Sequence, residues 1–430
     1  MTKLNALDLA QKIQGRMVQY LLQENFTKDP KFQKIHKHIL ESHPNKGGIV
    51  TELIVEGAFP YQCSGQSLYD LVQTGKFNSS FCEHLEKDNK FDTKRKLYSH
   101  QEEAISIAER GYREENKPSI VISSGTGSGK TESFLLPVLN DLNLRTPQAG
   151  EGISTLILYP MNALVNDQVK RISGLLDGQK DITVFEFTSQ TPEDSEKTNN
   201  SDSHLILSRN DARQKTPSIL ITNYSMLEYM LCRPQDNCFF GRNLRTIVLD
   251  EAHLYSGTLA TEISLLLRRL YDRCNLNASD VLQIATSATL VKNNEEGDNI
   301  LKNFIGSLFS KEETSVCLVK GKQLKRLDTI NLKQKLHYAN FEMKFFDELE
   351  MASNYSDREF DACFNFLQPI FPISRSYREE LIKKHNSELS SILYEVLHRS
   401  ELFAAIETLL WEQDSKRINL KKLTQNILNS

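Results

Sequence analysis

The run Ser123-Ser-Gly-Thr-Gly-Ser-Gly-Lys-Thr-Glu-Ser133 constrains this chain more tightly than any other stretch. It follows an apolar, β-branched segment, Ser119-Ile-Val-Ile122, and opens onto Phe134-Leu-Leu-Pro-Val-Leu139. A strand, a glycine-rich loop and a helix start, in that order, is the setting of a phosphate-binding loop. Glycines let backbone N–H groups turn inward around a phosphate, and the helix N-terminus adds partial positive charge. Ser124, Gly125, Thr126, Gly127, Ser128, Gly129, Lys130 and Thr131 are therefore the candidate binding residues for a nucleoside triphosphate. Lys130 can reach the β- and γ-phosphates, and the Thr131 hydroxyl can ligate Mg²⁺. The general pattern G-x-x-x-x-G-K-[ST] asks for glycine where this chain has Ser124, a residue small enough to keep the turn.

A second segment narrows the chemistry. Arg245-Thr-Ile-Val-Leu-Asp-Glu-Ala-His253 places an apolar strand immediately before two carboxylates. Asp250, at the strand's C-terminal end, is placed to hold Mg²⁺ directly or through water. Glu251 is the natural base for an attacking water, so the pair argues for hydrolysis rather than phosphoryl transfer to a second substrate. The candidate catalytic set is Lys130, Asp250 and Glu251, with ATP and Mg²⁺ as cofactors.

At 430 residues the chain exceeds one ordinary domain. Residues 1–95 read as a helical N-terminal extension, with amphipathic spacing over 7–22 and a second apolar helix near 67–72. Between 96 and 310, β-rich runs at 119–122, 155–159, 182–187, 218–222, 246–249 and 282–286 alternate with helical patterns. That alternation predicts a parallel sheet covered by helices on both faces. Residues 188–203 read as a polar surface loop. Residues 311–430 read as a mostly helical C-terminal segment, with apolar stripes at Leu389, Ile392, Leu393, Val396 and Leu397 and at Ile406, Leu409, Leu410 and Trp411. No segment has the ~18 uninterrupted apolar residues of a membrane span, and the seven scattered cysteines read as reduced thiols of a cytoplasmic protein. A net charge of −4 requires that any nucleic acid be held by a local groove.

Asp250-Glu-Ala-His253 resembles the DEAH form of motif II in superfamily 2 helicases, and other stretches fall in the right order around it. Leu97-Tyr-Ser-His-Gln101 resembles the Q motif, Tyr159-Pro-Met-Asn-Ala-Leu-Val-Asn-Asp-Gln168 motif Ia, Thr222-Asn-Tyr-Ser-Met-Leu227 motif Ib and Ser287-Ala-Thr289 motif III. Gly129-Lys-Thr-Glu-Ser-Phe-Leu-Leu-Pro137 and the double arginine after motif II resemble a bacterial branch of large repair-related and phage-defence DEAD/DEAH helicases. The resemblance implies a RecA-like P-loop NTPase domain that uses ATP to move or remodel nucleic acid, DNA rather than RNA. It implies that Gln101 reads the adenine, that His253, Ser287 and Thr289 couple nucleotide state to movement, and that Pro160, Asn162, Thr222 and Asn223 hold backbone phosphates.

Such motors close a second RecA-like domain over the nucleotide, and residues 290–430 contain no Gln-x-x-Gly-Arg-x-x-Arg string of the kind that domain carries. The expectation is thus the N-terminal half of a helicase motor, completed in a longer protein or by a partner. The alternative is a nucleotide-gated nucleic-acid binding module, or a truncated helicase remnant, that does not translocate.

Overall fold

The computed structural model describes residues 6–24, 27–42, 46–49, 54–57, 59–125, 127–145, 151–179, 181–194, 204–288, 295–325 and 401–413, with short pieces at 376, 379–380, 383, 417–419, 422–423 and 425–426. The chain forms two compact units, one spanning Pro60–Leu324 and the other combining residues 1–59 with 325–430. Helices α1 (Ala6–Glu24) and α2 (Pro30–Leu40) and strand β1 (Ile54–Glu56) belong to the second of these. Among the described residues no helix is long and apolar enough to cross a membrane.

The Pro60–Leu324 unit begins with strand β2 (Cys63–Ser67), which pairs antiparallel with β3 (Lys96–Tyr98) around helices α3 (Leu68–Gln73) and α4 (Ser79–Glu86). Strands and helices then alternate. They are α5 (Ser99–Gly111), β4 (Ser119–Ser123), α6 (Lys130–Leu144), β5 (Thr155–Tyr159), α7 (Asn162–Leu176), β6 (Val184–Phe187), β7 (Leu205–Ile206) and α8 (Arg209–Gln214). They continue as β8 (Ile219–Asn223), α9 (Tyr224–Cys232), β9 (Thr246–Leu249), α10 (Thr258–Cys274), β10 (Leu282–Ser287), α11 (Glu295–Phe309) and β11 (Val316–Lys320). The chain ends with α12 (Glu401–Trp411) and β12 (Arg417–Asn419) in the smaller unit, where β12 pairs antiparallel with β1. There Leu409 and Leu410 pack with Ile418 and Leu423, and the Phe59 and Trp411 rings meet edge to face. The stripe at 389–397 lies outside the described residues.

Eight strands form one sheet in the order β11-β4-β10-β9-β5-β8-β6-β7, every pair parallel. The inner strands are buried on both faces, which is why they read as unbroken apolar runs rather than as alternation. Their alternate residues feed two cores. Ile120, Ile122, Ile157, Ile221 and Val248 pack against α5, α6 and α7, while Val121, Leu156, Leu158, Leu220 and Leu249 pack against α9, α10 and α11. This is the RecA-like arrangement, and all the strand expectations fall within two residues of an observed strand. Two strands carry no comparable signal. β7 has only two residues, and β11 is a half-exposed edge strand lying beyond 310, where the sequence alternation fades. The lead-in before residue 96 is likewise not purely helical, since β2 lies within it.

Parallel topology delivers the C-terminal ends of β4, β5, β8, β9 and β10 to one edge of the sheet, the edge at which such folds bind ligands. The opposite edge holds a buried amine. Lys311 Nζ donates to the carbonyls of Lys117 and Val281 (the latter at 3.2 Å), and burial, helped by the Lys117 charge, pulls its pKa down from 10.5 to about 7. The unfolded chain then binds a proton that the folded chain does not, across the window between those two values. Stability should rise with pH through that window, with the gain complete above the unfolded value. Thermal unfolding at about pH 7 and about pH 9 should show a rise that Lys311→Met removes; an equal rise in the variant would assign it elsewhere.

Candidate nucleotide site

The glycine-rich loop leaves β4 and enters α6 through two left-handed residues, Gly127 (φ 71°) and Gly129 (φ 75°). A Cβ at 129 would also lie 2.3 Å from Gln101 Nε2, so that side chain would have to shift. Gln101 is buried and bonded at both ends, accepting from Tyr98 N (3.0 Å) and donating to Gly129 O (3.2 Å). His100 reaches the neighbouring Ser128 carbonyl through Nε2 at 2.9 Å. The residue at the unusual position, Ser124, shares a 2.6 Å hydroxyl–hydroxyl bond with Ser128 across the loop. Its Cβ is accommodated by Gly321, whose own Cβ would fall 2.7 Å away. From outside, the Tyr61 hydroxyl accepts the Gly125 N–H at 2.9 Å. Thr126 lies outside the described residues.

Lys130 opens α6 and is only 9% exposed. Its Nζ has no hydrogen-bond partner among the described residues and lies 3.5 Å from Glu251 Oε1. An ammonium walled in this way is costly unless an anion joins it. Glu251 has a left-handed backbone (φ 51°), sparsely populated for a residue with a side chain. Its N–H donates to Asp250 Oδ1 (3.2 Å) and Thr286 Oγ1 (3.0 Å). The Thr286 hydroxyl in turn donates to Asp250 Oδ1. Burial pushes the Asp250 carboxyl upward in pKa, opposed by the Thr286 bond.

His253 Nδ1 stands 3.2 Å from Glu251 Oε2 and 3.3 Å from the Ala288 N–H. A protonated Nδ1 donates to the first and an unprotonated one accepts from the second. Burial lowers this imidazole's pKa, which favours the neutral ring. Ser287 closes the circuit, because its carbonyl accepts the Ser124 N–H at 3.3 Å. Thr289 lies outside the described residues. Arg95, Tyr98, Gln101, Gly127, Ser128, Gly129, Lys130, Thr131, Glu132, Arg171 and Glu251 line a cavity of ≈ 390 Å³.

These residues fit a triphosphate. The Lys130 ammonium, paired with Glu251 but without a hydrogen bond among the described residues, lies beside two glycines that no larger residue could replace without strain. Magnesium typically takes one or two carboxylates and completes its shell with phosphate and water, so Thr131 with Asp250 is a sufficient protein contribution.

Of the residues expected to hold nucleic acid, Asn162 and Asn223 come together. Asn223 Nδ2 donates to Asn162 Oδ1, while Asn223 Oδ1 caps α9 at Met226 N (2.8 Å). Pro160, half-buried, precedes them at the end of β5. Thr222 stands apart from this set: it is fully buried and its hydroxyl donates inward to Phe187 O at 2.6 Å. Sequence reasoning passed over two participants, Thr286 and Tyr61. Thr286 directly precedes Ser287, so its position was available; nothing in the sequence marks Tyr61.

Residues 98–296 match the family model described as DEAD/DEAH box helicase. The Druantia protein DruE of Escherichia coli is 25% identical over 436 residues, an alignment covering 77% of this chain and 22% of that protein. The uncharacterized ATP-dependent helicase YprA of Bacillus subtilis is 30% identical over 208 residues, covering 47% of this chain and 24% of that one. The chain thus spans less than a quarter of the length of either relative. A crystal structure of the DUF1998 helicase MrfA bound to DNA superposes with a TM-score of 0.43 at 22% identity, covering 81% of this chain and 42% of that one. From the matched residues and the site they contain, the segment 98–296 is similar to a DEAD/DEAH box helicase domain.

Proposed function

We propose that the chain binds Mg-ATP at this site and uses its hydrolysis to move or remodel nucleic acid, DNA in preference to RNA. The observation that carries the reading is the buried Lys130 ammonium at the mouth of the glycine-rich loop, ion-paired to Glu251 at 3.5 Å and without a hydrogen-bond partner among the described residues. Lys130 neutralises the β- and γ-phosphates, and the loop N–H groups hold them. Thr131 and Asp250 hold the metal, which when bound neutralises developing phosphate charge. Glu251 orients the attacking water and takes its proton. Thr286 fixes the Asp250 carboxylate.

His253 and Ser287 link this centre to β10, and Thr289 belongs to the same proposed coupling set. Pro160, Asn162 and Asn223 hold phosphates of one strand, contacts that position without reading sequence. Thr222 acts indirectly, by fixing the end of β8 to the end of β6. Gln101 senses the adenine. The reading extends to a second RecA-like domain, in a longer protein or a partner, that closes over the cavity, and to a cytoplasmic setting.

The test is ATP turnover by the purified chain, alone and with single-stranded DNA or RNA, at several salt concentrations. Turnover should rise with DNA, and DNA affinity should fall steeply with salt as phosphate contacts release counterions. A salt-independent response, or none to either polymer, rejects nucleic acid as the partner. ATP that only tunes DNA affinity, without turnover when a second domain is supplied, favours a nucleotide-gated binding module.

A further inference from the structure

One strand beyond β8, on the same edge of the sheet, two arginines are clamped by a carboxylate. Phe187, the last residue of β6, is in register with Thr222, so the segment that follows it emerges beside Asn223. That segment, 188–194, is tied down. Thr191 Oγ1 donates to Glu186 O (2.9 Å), and Arg209 N and Asn210 N donate to the carbonyls of Pro192 and Glu193 (3.0 Å each). The surface loop expected here is therefore anchored through its first half. The anchoring brings Glu193 onto the N-terminal turn of α8. Its Oε2 lies 3.4 Å from Arg209 Nη1, and its Oε1 accepts from Arg213 Nη1.

The enclosure is lopsided. The arginine side chains are only 15% and 12% exposed, whereas Glu193 is 44% exposed. The arginines are held from behind: Arg209 lies over the Phe187 ring (4.8 Å) and donates to Thr188 O (3.0 Å). Arg213 Nε donates to the fully buried Asp236 at 2.8 Å. Even so, Arg209 Nε and Arg213 Nη2 are buried with no hydrogen-bond partner among the described residues. The cluster thus has two inward-fixed guanidinium groups, spare donors, and one exchangeable carboxylate on the outside. Carboxylate and phosphate oxygens present the same bidentate partner to a guanidinium.

We propose that Arg209 and Arg213 form a phosphate subsite for a nucleic-acid backbone, continuing the strand path beyond Asn223, and that Glu193 occupies it in place of the phosphate. This rests on the nucleic-acid reading above. A backbone phosphate displaces Glu193 and takes both its bonds and the spare donors. The subsite is self-screened, so it engages only a polyanion that neighbouring contacts already hold in place.

Binding of a labelled single-stranded DNA oligonucleotide to the full chain, titrated with salt, tests the idea in Glu193→Gln and Arg209→Gln. Glu193→Gln should tighten binding roughly fivefold to tenfold, because the resident competitor loses its charge. Arg209→Gln should weaken it and reduce the slope of log K against log salt by about 0.7, one phosphate contact on a single strand. A folding defect could mimic the second result but not the first. Unchanged affinity and slope in both variants, with normal binding by the unmodified chain, overturns the subsite while sparing the nucleic-acid reading. No binding by the unmodified chain removes both. Millimolar inorganic phosphate that raises the melting temperature in an Arg209-dependent way, with oligonucleotide affinity unchanged in both variants, would identify a free-phosphate site instead.

Discussion

Lys130→Ala should lower ATP affinity at least about a hundredfold while leaving the melting temperature level or raised. The two halves of that expectation come from one fact. Among the described residues Nζ makes no hydrogen bond and is ion-paired to Glu251 Oε1 at 3.5 Å, so its charge adds little to the fold until a phosphate arrives. That ion pair compensates the buried ammonium only in part. Removing the ammonium relieves that burial, yet it also removes the only side-chain cation that emerges directly from the glycine-rich loop. Isothermal titration with a non-hydrolysable ATP analogue, paired with a thermal melt, separates this from damage to the fold. A variant that loses stability and binding together would show instead that Lys130 is a structural residue.

Glu251→Gln should retain nucleotide affinity and reduce turnover by about 10²–10⁴, the usual contribution of a positioned general base. Glutamine keeps the side chain's length and can occupy the same left-handed backbone, so the bonds from the 251 N–H to Asp250 and Thr286 persist. What disappears is the capacity to take a proton. Asp250 is a poor substitute, because its Oδ1 already accepts from Thr286 and from the 251 N–H. Single-turnover hydrolysis measured beside equilibrium binding is the relevant comparison. The variant should also stay on single-stranded DNA in the presence of ATP when the normal chain releases it. Turnover within a factor of about two of normal would take the base away from Glu251.

Most of this site was legible because its chemistry is carried by contiguous strings at strand ends. β-branched runs such as Ser119–Ile122 and Thr246–Leu249 fix the strands, and a parallel sheet then brings the residues after them to one edge. Thr222 shows the limit of reading a motif without its strand. It alternates with Leu220, whose side chain enters the core, so period-2 geometry already turns Thr222 inward. Tyr61 was illegible for a different reason. It meets Gly125 across a long sequence gap, and such contacts leave no periodic trace. β11 was missed because an edge strand is only half-buried and its apolar pattern is correspondingly weak.

The Gln101 amide is spoken for at both ends before any base arrives, and one of those ends grips the peptide at Gly129. A purine that recruits this amide must therefore loosen its hold on the phosphate cradle or share it. On the proposed role of Gln101, base recognition and cradle tension become a single mechanical variable. A bare tripolyphosphate, which has no ring to offer, would meet the cradle in its unrelaxed shape.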